Sequence, residues 1–208
     1  MFFHRVPAIV QRLYPNRTWN NKDAEGKVYL TFDDGPVPGV TEFALDQLAK
    51  HGMKATFFMV GDNVRKYPEL AKEVIAAGHQ FGNHTYHHLK GWRTKLEYYF
   101  DNFQKCEEIF EQVIGQKSRL FRPPYGLMTG RQMRKISESH QIIMWNVLSG
   151  DYDPTLKSDK ILENIKKLTD SGAIILFHDQ KKTAEVLPKL LPQYLDFVQQ
   201  SGFETALL

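Results

Sequence analysis

Cysteine is nearly absent from this chain. Cys106 is the single cysteine, so no intrachain disulfide can form, and its place in a helical stretch suits a small core residue. Charge of one sign is also missing. The formal net charge is +3 over 208 residues, too mild to argue for a nucleic-acid surface. The basic pairs Lys166–Lys167 and Lys181–Lys182 read as solvated helix faces. No apolar run approaches membrane-spanning length, and there is no linker or low-complexity segment. The N-terminal stretch MFFHRVPAIVQRLYPNRTWN is apolar in patches, but Arg5, Pro7 and Arg12 interrupt it and no small-residue cleavage site follows. The expectation is an arm from Met1 to Glu25, packed on a single domain from Gly26 to Leu208, with interfacial membrane contact as the lesser alternative. The default address is cytoplasmic. The rest is ordinary globular composition, 42% hydrophobic and 25% charged.

What is there is alternation. Val28 to Phe32 (VYLTF) reads as a buried strand, Thr41 to His51 as a helix, Lys54 to Val60 as a strand, and Asp62 to Ala77 as a helix restarted at Pro68. His79 to Gly82 is a short strand, Thr94 to Ile114 a long helix, Arg119 to Arg122 strand-like, and Thr129 to Ser139 helical. Gln141 to Val147 reads as one strand. Ser158 is the expected N-cap of a helix closing at Gly172, Ala173 to Phe177 is the most apolar strand, and a last helix from about Thr183 to Gly202 precedes a short strand at Phe203 to Ala206. Glycines at 52, 78, 115, 172 and 202 are expected to end helices in the left-handed conformation. Such alternation predicts parallel strands with helices outside. An open doubly wound sheet and a closed barrel both satisfy it; the chain is short for eight repeats, which favours a barrel of fewer.

In parallel α/β domains chemistry collects at the C-terminal ends of the strands. Asp33 and Asp34 follow the first strand, where Gly35-Pro36 turns the chain and lets both carboxylates face one site. His84, His87 and His88 follow the third, Arg122 the next, Asp151 the Trp145 strand, and His178 and Asp179 the apolar AIILF run. Random scatter would spread them over both rims. His84 and His88, four apart, share one face of a helical turn and, with Asp34, make a set of two imidazoles and one carboxylate with a position left open. Zinc suits that set; cobalt, manganese and iron fit the same donors. His87 points elsewhere. Trp92 and Tyr152 are candidate stacking platforms for a ligand.

Five blocks, TFDDGP, HTYHH, RPPYG, the GDYDP region and ILFHD, occur in the order and approximate spacing of the polysaccharide deacetylases, the NodB-homology or family 4 carbohydrate esterases. The resemblance runs from Val28 to the C-terminus. It implies a distorted (β/α) barrel of about seven parallel strands. It also implies a divalent metal on Asp34, His84 and His88, Asp33 as general base, and Arg122 as the partner that keeps the base ionised. The backbone N–H of Tyr125 would stabilise the oxyanion, His178 would be the acid oriented by Asp151, and Leu176 would line the pocket for the acetyl methyl group. This chain departs from the family's usual Asp-x-x-Asp-Trp block, with Leu148 in place of the first aspartate and Tyr152 in place of the tryptophan. The implied activity is removal of N-acetyl groups from an amino-sugar polymer or oligomer of peptidoglycan or chitin type. Two rivals are hydrolysis of another non-peptide C–N bond, such as a formamide on a lipid-linked sugar or a small cyclic amide, and a non-catalytic sugar-binding module.

Overall fold

The computed structural model describes residues 4–21 and 23–208. Its centre is β1 (Lys27–Asp33), in which every residue after Lys27 is buried. A run of β-branched and aromatic residues buried on both faces is what the middle of a parallel sheet requires. β2 (Thr56–Met59), β3 (Gln80–Asn83), β4 (Leu120–Phe121) and β5 (Gln141–Ile142) extend the sheet on one side, and β7 (Ile174–His178) and β6 (Val147–Leu148) on the other, all parallel. A last short strand, β8 (Glu204–Thr205), pairs with the start of β1.

The stretch expected to be one strand from Gln141 to Val147 is two. Its first residues pair with β4 and its last with β7, at opposite ends of the strand order. Between them Ile143 N–H donates to Phe121 and Asn146 N–H to Ile174, while the carbonyls of Ile143 and Met144 accept from the Arg122 guanidinium. The segment therefore crosses from one edge to the other and draws seven strands round into a distorted barrel.

Alternation along the strands sorts the two faces. Val28, Leu30 and Phe32 face the helices in the main core, where Phe32 stacks between Phe57 at 5.0 Å and Phe177 at 5.7 Å. Tyr29, Thr31 and Asp33 face inward, level with Ile174, Leu176 and His178 on β7. Tyr29, Phe58, Leu120, Ile143 and Ile174 close the lower barrel with an apolar plug. Polar chemistry is thereby confined to the upper rim.

The outer helices are α2 (Thr41–Lys50), α3 (Gly61–Lys66), α4 (Pro68–Ala76), α5 (Leu96–Ile114), α6 (Gly130–Ser137), α7 (Ser158–Leu168) and α8 (Leu187–Gln200). Pro68 divides α3 from α4 as expected, because it cannot supply the N–H that a continuous helix needs. Gly52, Gly78, Gly115 and Gly202 follow helices with positive φ. Gly172 does not end α7. That helix stops at Leu168, where the Thr169 hydroxyl turns back to the Ile165 carbonyl, and Gly172 serves the turn into β7. Ser158 is the first helical residue, with Lys157 at the cap, and α8 begins at Leu187 after a separate 3₁₀ turn at Lys181–Thr183. Among the described residues no helix is long and apolar enough to cross a membrane.

Residues 4–21 include the short helix α1 (Ala8–Leu13) and lie along the barrel-closing segment. Val6 N–H donates to Asn146, Leu148 N–H to His4, and Thr18 exchanges backbone bonds with Ile142 and Met144. Trp19 is buried in a cluster with Tyr99, Phe121, Ile142 and Met144. Trp19→Ala should therefore cost about 3 kcal/mol in equilibrium urea unfolding; a loss under about 1 kcal/mol would put the arm outside the cooperative unit.

Candidate active site

The site starts where β1 ends. Asp33 still follows the strand's alternation and points inward. Asp34 has φ of +81°, an uncommon backbone for a residue with a side chain, and this swings its carboxylate to the same side. Both acids thus approach one nitrogen: His84 Nε2 lies 3.8 Å from Asp33 Oδ2 and 3.5 Å from Asp34 Oδ1. The turn is held from beneath by Asp179. Its carboxylate accepts from Gly35 N–H at 3.1 Å and from the Thr41 hydroxyl at 2.7 Å. Burial, with Asp34 nearby, pushes Asp179 up to about 7. Asn63 adds a bond from its amide to the Asp34 carbonyl, 2.7 Å.

The two histidines do not share a helical turn. The segment after β3 is irregular, with Thr85 at φ +61° and His88 at φ +54°. Two asparagines shape it. Asn83 Oδ1 accepts from Thr85 N–H, and Asn102 Oδ1 accepts from both Tyr86 and His87 N–H. The exposed His87 accepts from Asn102 at Nδ1 and turns away from the site. His84 Nδ1–H donates to the Arg122 carbonyl at 2.7 Å, which leaves its Nε2 as a lone-pair donor.

His88 Nε2 lies 3.0 Å from Asp34 Oδ1, yet that buried oxygen has no aligned hydrogen bond. One oxygen and two imidazole nitrogens, all within 4.8 Å of one another, converge on a common point. An orphaned carboxylate oxygen facing two ring nitrogens is the arrangement a divalent cation completes, and the donor set suits zinc. Burial raises the Asp34 carboxyl, but the imidazoles of His84 and His88 outweigh it and hold the group well below the usual range.

Asp33 has a different partner. Arg122 is fully buried, and its Nη1 donates to Asp33 Oδ1 at 2.7 Å and to the Thr31 hydroxyl at 2.8 Å. The Ile143 carbonyl accepts from Nε–H and the Met144 carbonyl from Nη2–H, and Phe58 lies 4.1 Å beneath the guanidinium. Across the cavity His178 Nδ1–H donates to Asp151 Oδ1 at 2.7 Å, and His178 N–H to Asp151 Oδ2 at 2.8 Å. Ser149 donates a further bond to Asp151. Burial lowers the His178 pKa, but Asp151 beside it, with smaller help from Asp34 and Asp33, raises it to about 9. The imidazole is charged at neutral pH and presents Nε2 to the cavity.

That cavity holds about 600 Å³. Asp33, Asp34, His84, His88, His178, Leu176, Tyr125 and Tyr152 all line it; Arg122 and Asp151 stand behind. Tyr125, at φ +61°, packs its ring 4.6 Å from His88, and Tyr152 meets His178 edge-on at 5.0 Å. Trp92 is not part of it. It is 62% exposed on the surface outside the cavity, with Nε1–H donating to the Met128 carbonyl. The wall tryptophan is Trp145, beside Leu148. Its sequence signal, an aromatic just before the GDYDP block, was masked by its place in a strand-like run. Asn63 carries no comparable signal.

The sequence profile described as "Polysaccharide deacetylase" matches residues 20–145. The chain belongs to the polysaccharide deacetylase family. Two peptidoglycan-N-acetylglucosamine deacetylases of Bacillus cereus are 34% identical over 81% of this chain and 33% identical over 85% of it. The matched regions span 63% of the first relative and 85% of the second. The crystal structure of a peptidoglycan N-acetylglucosamine deacetylase bound to 4-naphthalen-1-yl-N-oxidanyl-benzamide superimposes with a TM-score of 0.84 at 29% identity, covering 93% of this chain and 91% of that one. With 93% of the chain covered, the likeness in fold reaches past residue 145, where the profile match stops.

Two expectations follow for this family member. A Cβ at Gly35 would sit 2.0 Å from Asp179 Oδ2, which two hydrogen bonds keep from moving aside. Gly35→Ala should cost about 1–3 kcal/mol, read by thermal or urea unfolding. The His178–Asp151 pair contributes stability that is full below about 6.5 and is lost as pH rises through about 9, because the folded state binds its proton more tightly. In chelator-treated protein, NMR titration of the His178 ring should give a midpoint near 9, falling toward 6.5 in Asp151→Asn; an unmoved midpoint would assign the charge to another partner.

Proposed function

We propose that this chain is a metal-dependent hydrolase that removes N-acetyl groups from amino-sugar polymers of peptidoglycan or chitin type. One observation carries the reading: a carboxylate paired with a buried guanidinium, an imidazole paired with a buried carboxylate, and three side chains able to hold a metal ion all open on one cavity. It agrees with the two Bacillus cereus relatives, which are peptidoglycan-N-acetylglucosamine deacetylases. Asp34, His84 and His88 would hold the ion, with zinc the best match and cobalt, manganese or iron possible on the same donors. When bound, such an ion makes water nucleophilic at neutral pH and polarises the amide carbonyl.

The protein's own groups do the rest. Asp33, held in place by its hydrogen bond from Arg122, accepts a proton from the attacking water. As water adds to the acetamide carbon, the carbonyl oxygen gains charge, and the backbone N–H of Tyr125 is the proposed donor to it. The C–N bond can break only if the nitrogen leaves as an amine. His178 Nε2 supplies that proton, and Asp151 stabilises the charged ring beforehand. Acetate and a free amino sugar result. Leu176, inward-facing between the two catalytic strand ends, forms with Trp145 an apolar wall for the acetyl methyl group. Leu148 makes the wall more apolar than the family's usual aspartate would, so the same residues could cleave a formamide or another amide.

The test is acetate release from N-acetylglucosamine oligomers, chitin and peptidoglycan. Chelation should abolish it and added zinc or cobalt restore it. Asp33→Asn should lower kcat by about 10²-fold or more with metal binding intact, and His178→Ala by about 10²–10⁴-fold. His84→Ala should lose the metal itself. No acetate from any polymer, with one metal still bound, would move the reading to a different amide.

A further inference from the structure

Lys181 and Lys182, a basic pair that reads as a solvated helix face, are exposed as that reading implies, but on a single 3₁₀ turn and not on one of the outer α-helices. They occupy the 3₁₀ turn Lys181–Thr183 immediately beyond β7, and with Gln180 they line the cavity that holds His178. The turn is fixed to the catalytic strand. Thr183 is fully buried, and its hydroxyl bonds to the carbonyls of His178 at 2.7 Å and Gln180 at 2.8 Å. The base of each lysine therefore stands at a set place beside the reacting centre, while the ammonium groups remain exposed and adjustable.

Their charge is not neutralised from within. Among the described residues neither lysine forms an ion pair. Two acids of the site already have a cationic partner inside it, Asp33 in Arg122 and Asp151 in His178, and Asp34 faces the imidazoles of His84 and His88. Two exposed cations with no ion pair, lining a cavity whose carboxylates face partners inside the site, add a local positive field that favours an anionic substrate.

We propose that Lys181 and Lys182 form a carboxylate subsite. The enzyme then takes amino-sugar chains that carry a negative charge close to the reacting acetamide in preference to neutral chains. This rests on the deacetylase reading and deepens it. The carboxylate has two chemical sources, a lactyl ether on a neighbouring sugar or a peptide attached to that ether, and the test separates them.

The measurement is kcat/KM of the metal-loaded enzyme on matched oligomers: neutral N-acetylglucosamine chains, chains with free lactyl ethers, the same chains with the lactyl carboxylates converted to methyl amides, and chains bearing peptides on the lactyl group. The quantity read is the ratio of acidic to neutral substrate, which general damage to the protein does not move. Wild type should favour the acidic chains, and the preference should fade as salt approaches about 0.5 M. K181A/K182A should cut the ratio about tenfold, as expected for two exposed charges, while K181R/K182R should keep it. Loss of the preference on methyl amidation assigns the lactyl carboxylate; a preference seen only with peptide-bearing chains assigns the peptide. A ratio that K181A/K182A leaves within about twofold of wild type overturns the subsite. Equilibrium binding of the same oligomers to Asp33→Asn protein separates the two readings. If wild type releases no acetate, the deacetylase reading fails, and an acidic preference in binding that K181A/K182A removes still upholds the subsite. Equal binding of acidic and neutral chains overturns it.

Discussion

The constraint on which the rest depends is the burial of Arg122. A guanidinium with no exposed surface is costly to desolvate unless it is paired and hydrogen-bonded, and here an anion, a hydroxyl and two carbonyls take four of its five N–H groups. Each of those contacts also shapes something else. The bond to Asp33 fixes the carboxylate at the end of β1. The bonds to Ile143 and Met144 hold the backbone of 141–148 away from regular strand pairing, and that same segment closes the barrel. The Arg122 carbonyl sets the tautomer of His84. One residue thus couples barrel closure, the placement of the Asp33 carboxylate and the orientation of the His84 imidazole, one of the three candidate metal donors. Replacing it with an uncharged residue would leave Asp33 as an unpaired buried charge, so a catalytic and a folding defect would arrive together.

The other side of the site is organised by β7. Leu176, His178 and Asp179 sit on three successive tasks: an apolar wall, a charged imidazole, and a brace under the Asp34 turn. Parallel pairing sets Asp33 opposite His178, so the two strand ends deliver an anion and a cation to one cavity without any loop having to find its place. The loops add the polarity that strands cannot. Asn83 and Asn102 replace missing ladder bonds around the histidine segment, which accommodates positive φ at Thr85 and His88.

Much of this was readable from one sequence. Alternation of apolar strands with glycine-terminated helices announced the parallel fold, and the clustering of Asp33, Asp34, His84, Arg122, Asp151 and His178 at strand ends announced the rim that carries the chemistry. The misreadings have physical causes. Spacing of four between His84 and His88 is helical only if the backbone is helical, and side chains of Asn83 and Asn102 impose another path. Gln141 to Val147 has the composition of one strand, but the carbonyls in its middle are claimed by Arg122. Trp92 and Trp145 are equal as letters; only the fold puts the first on the outer surface and the second in the wall. Lys181 and Lys182 look like any surface pair until Thr183 ties their turn to His178.

By itself, then, the sequence determined which chemical groups the chain possesses and, through strand periodicity, which end of the barrel they reach. Those are local properties: hydrophobic spacing, turn residues, and two acids before a Gly-Pro turn. Tertiary structure decided which groups meet. The pairing of Asp33 with Arg122, 89 residues apart, and of Asp151 with His178 depends on strand register and barrel closure. So does the convergence of Asp34, His84 and His88 on one point. Local sequence does not encode such distances, because they arise only when separate strands are brought side by side.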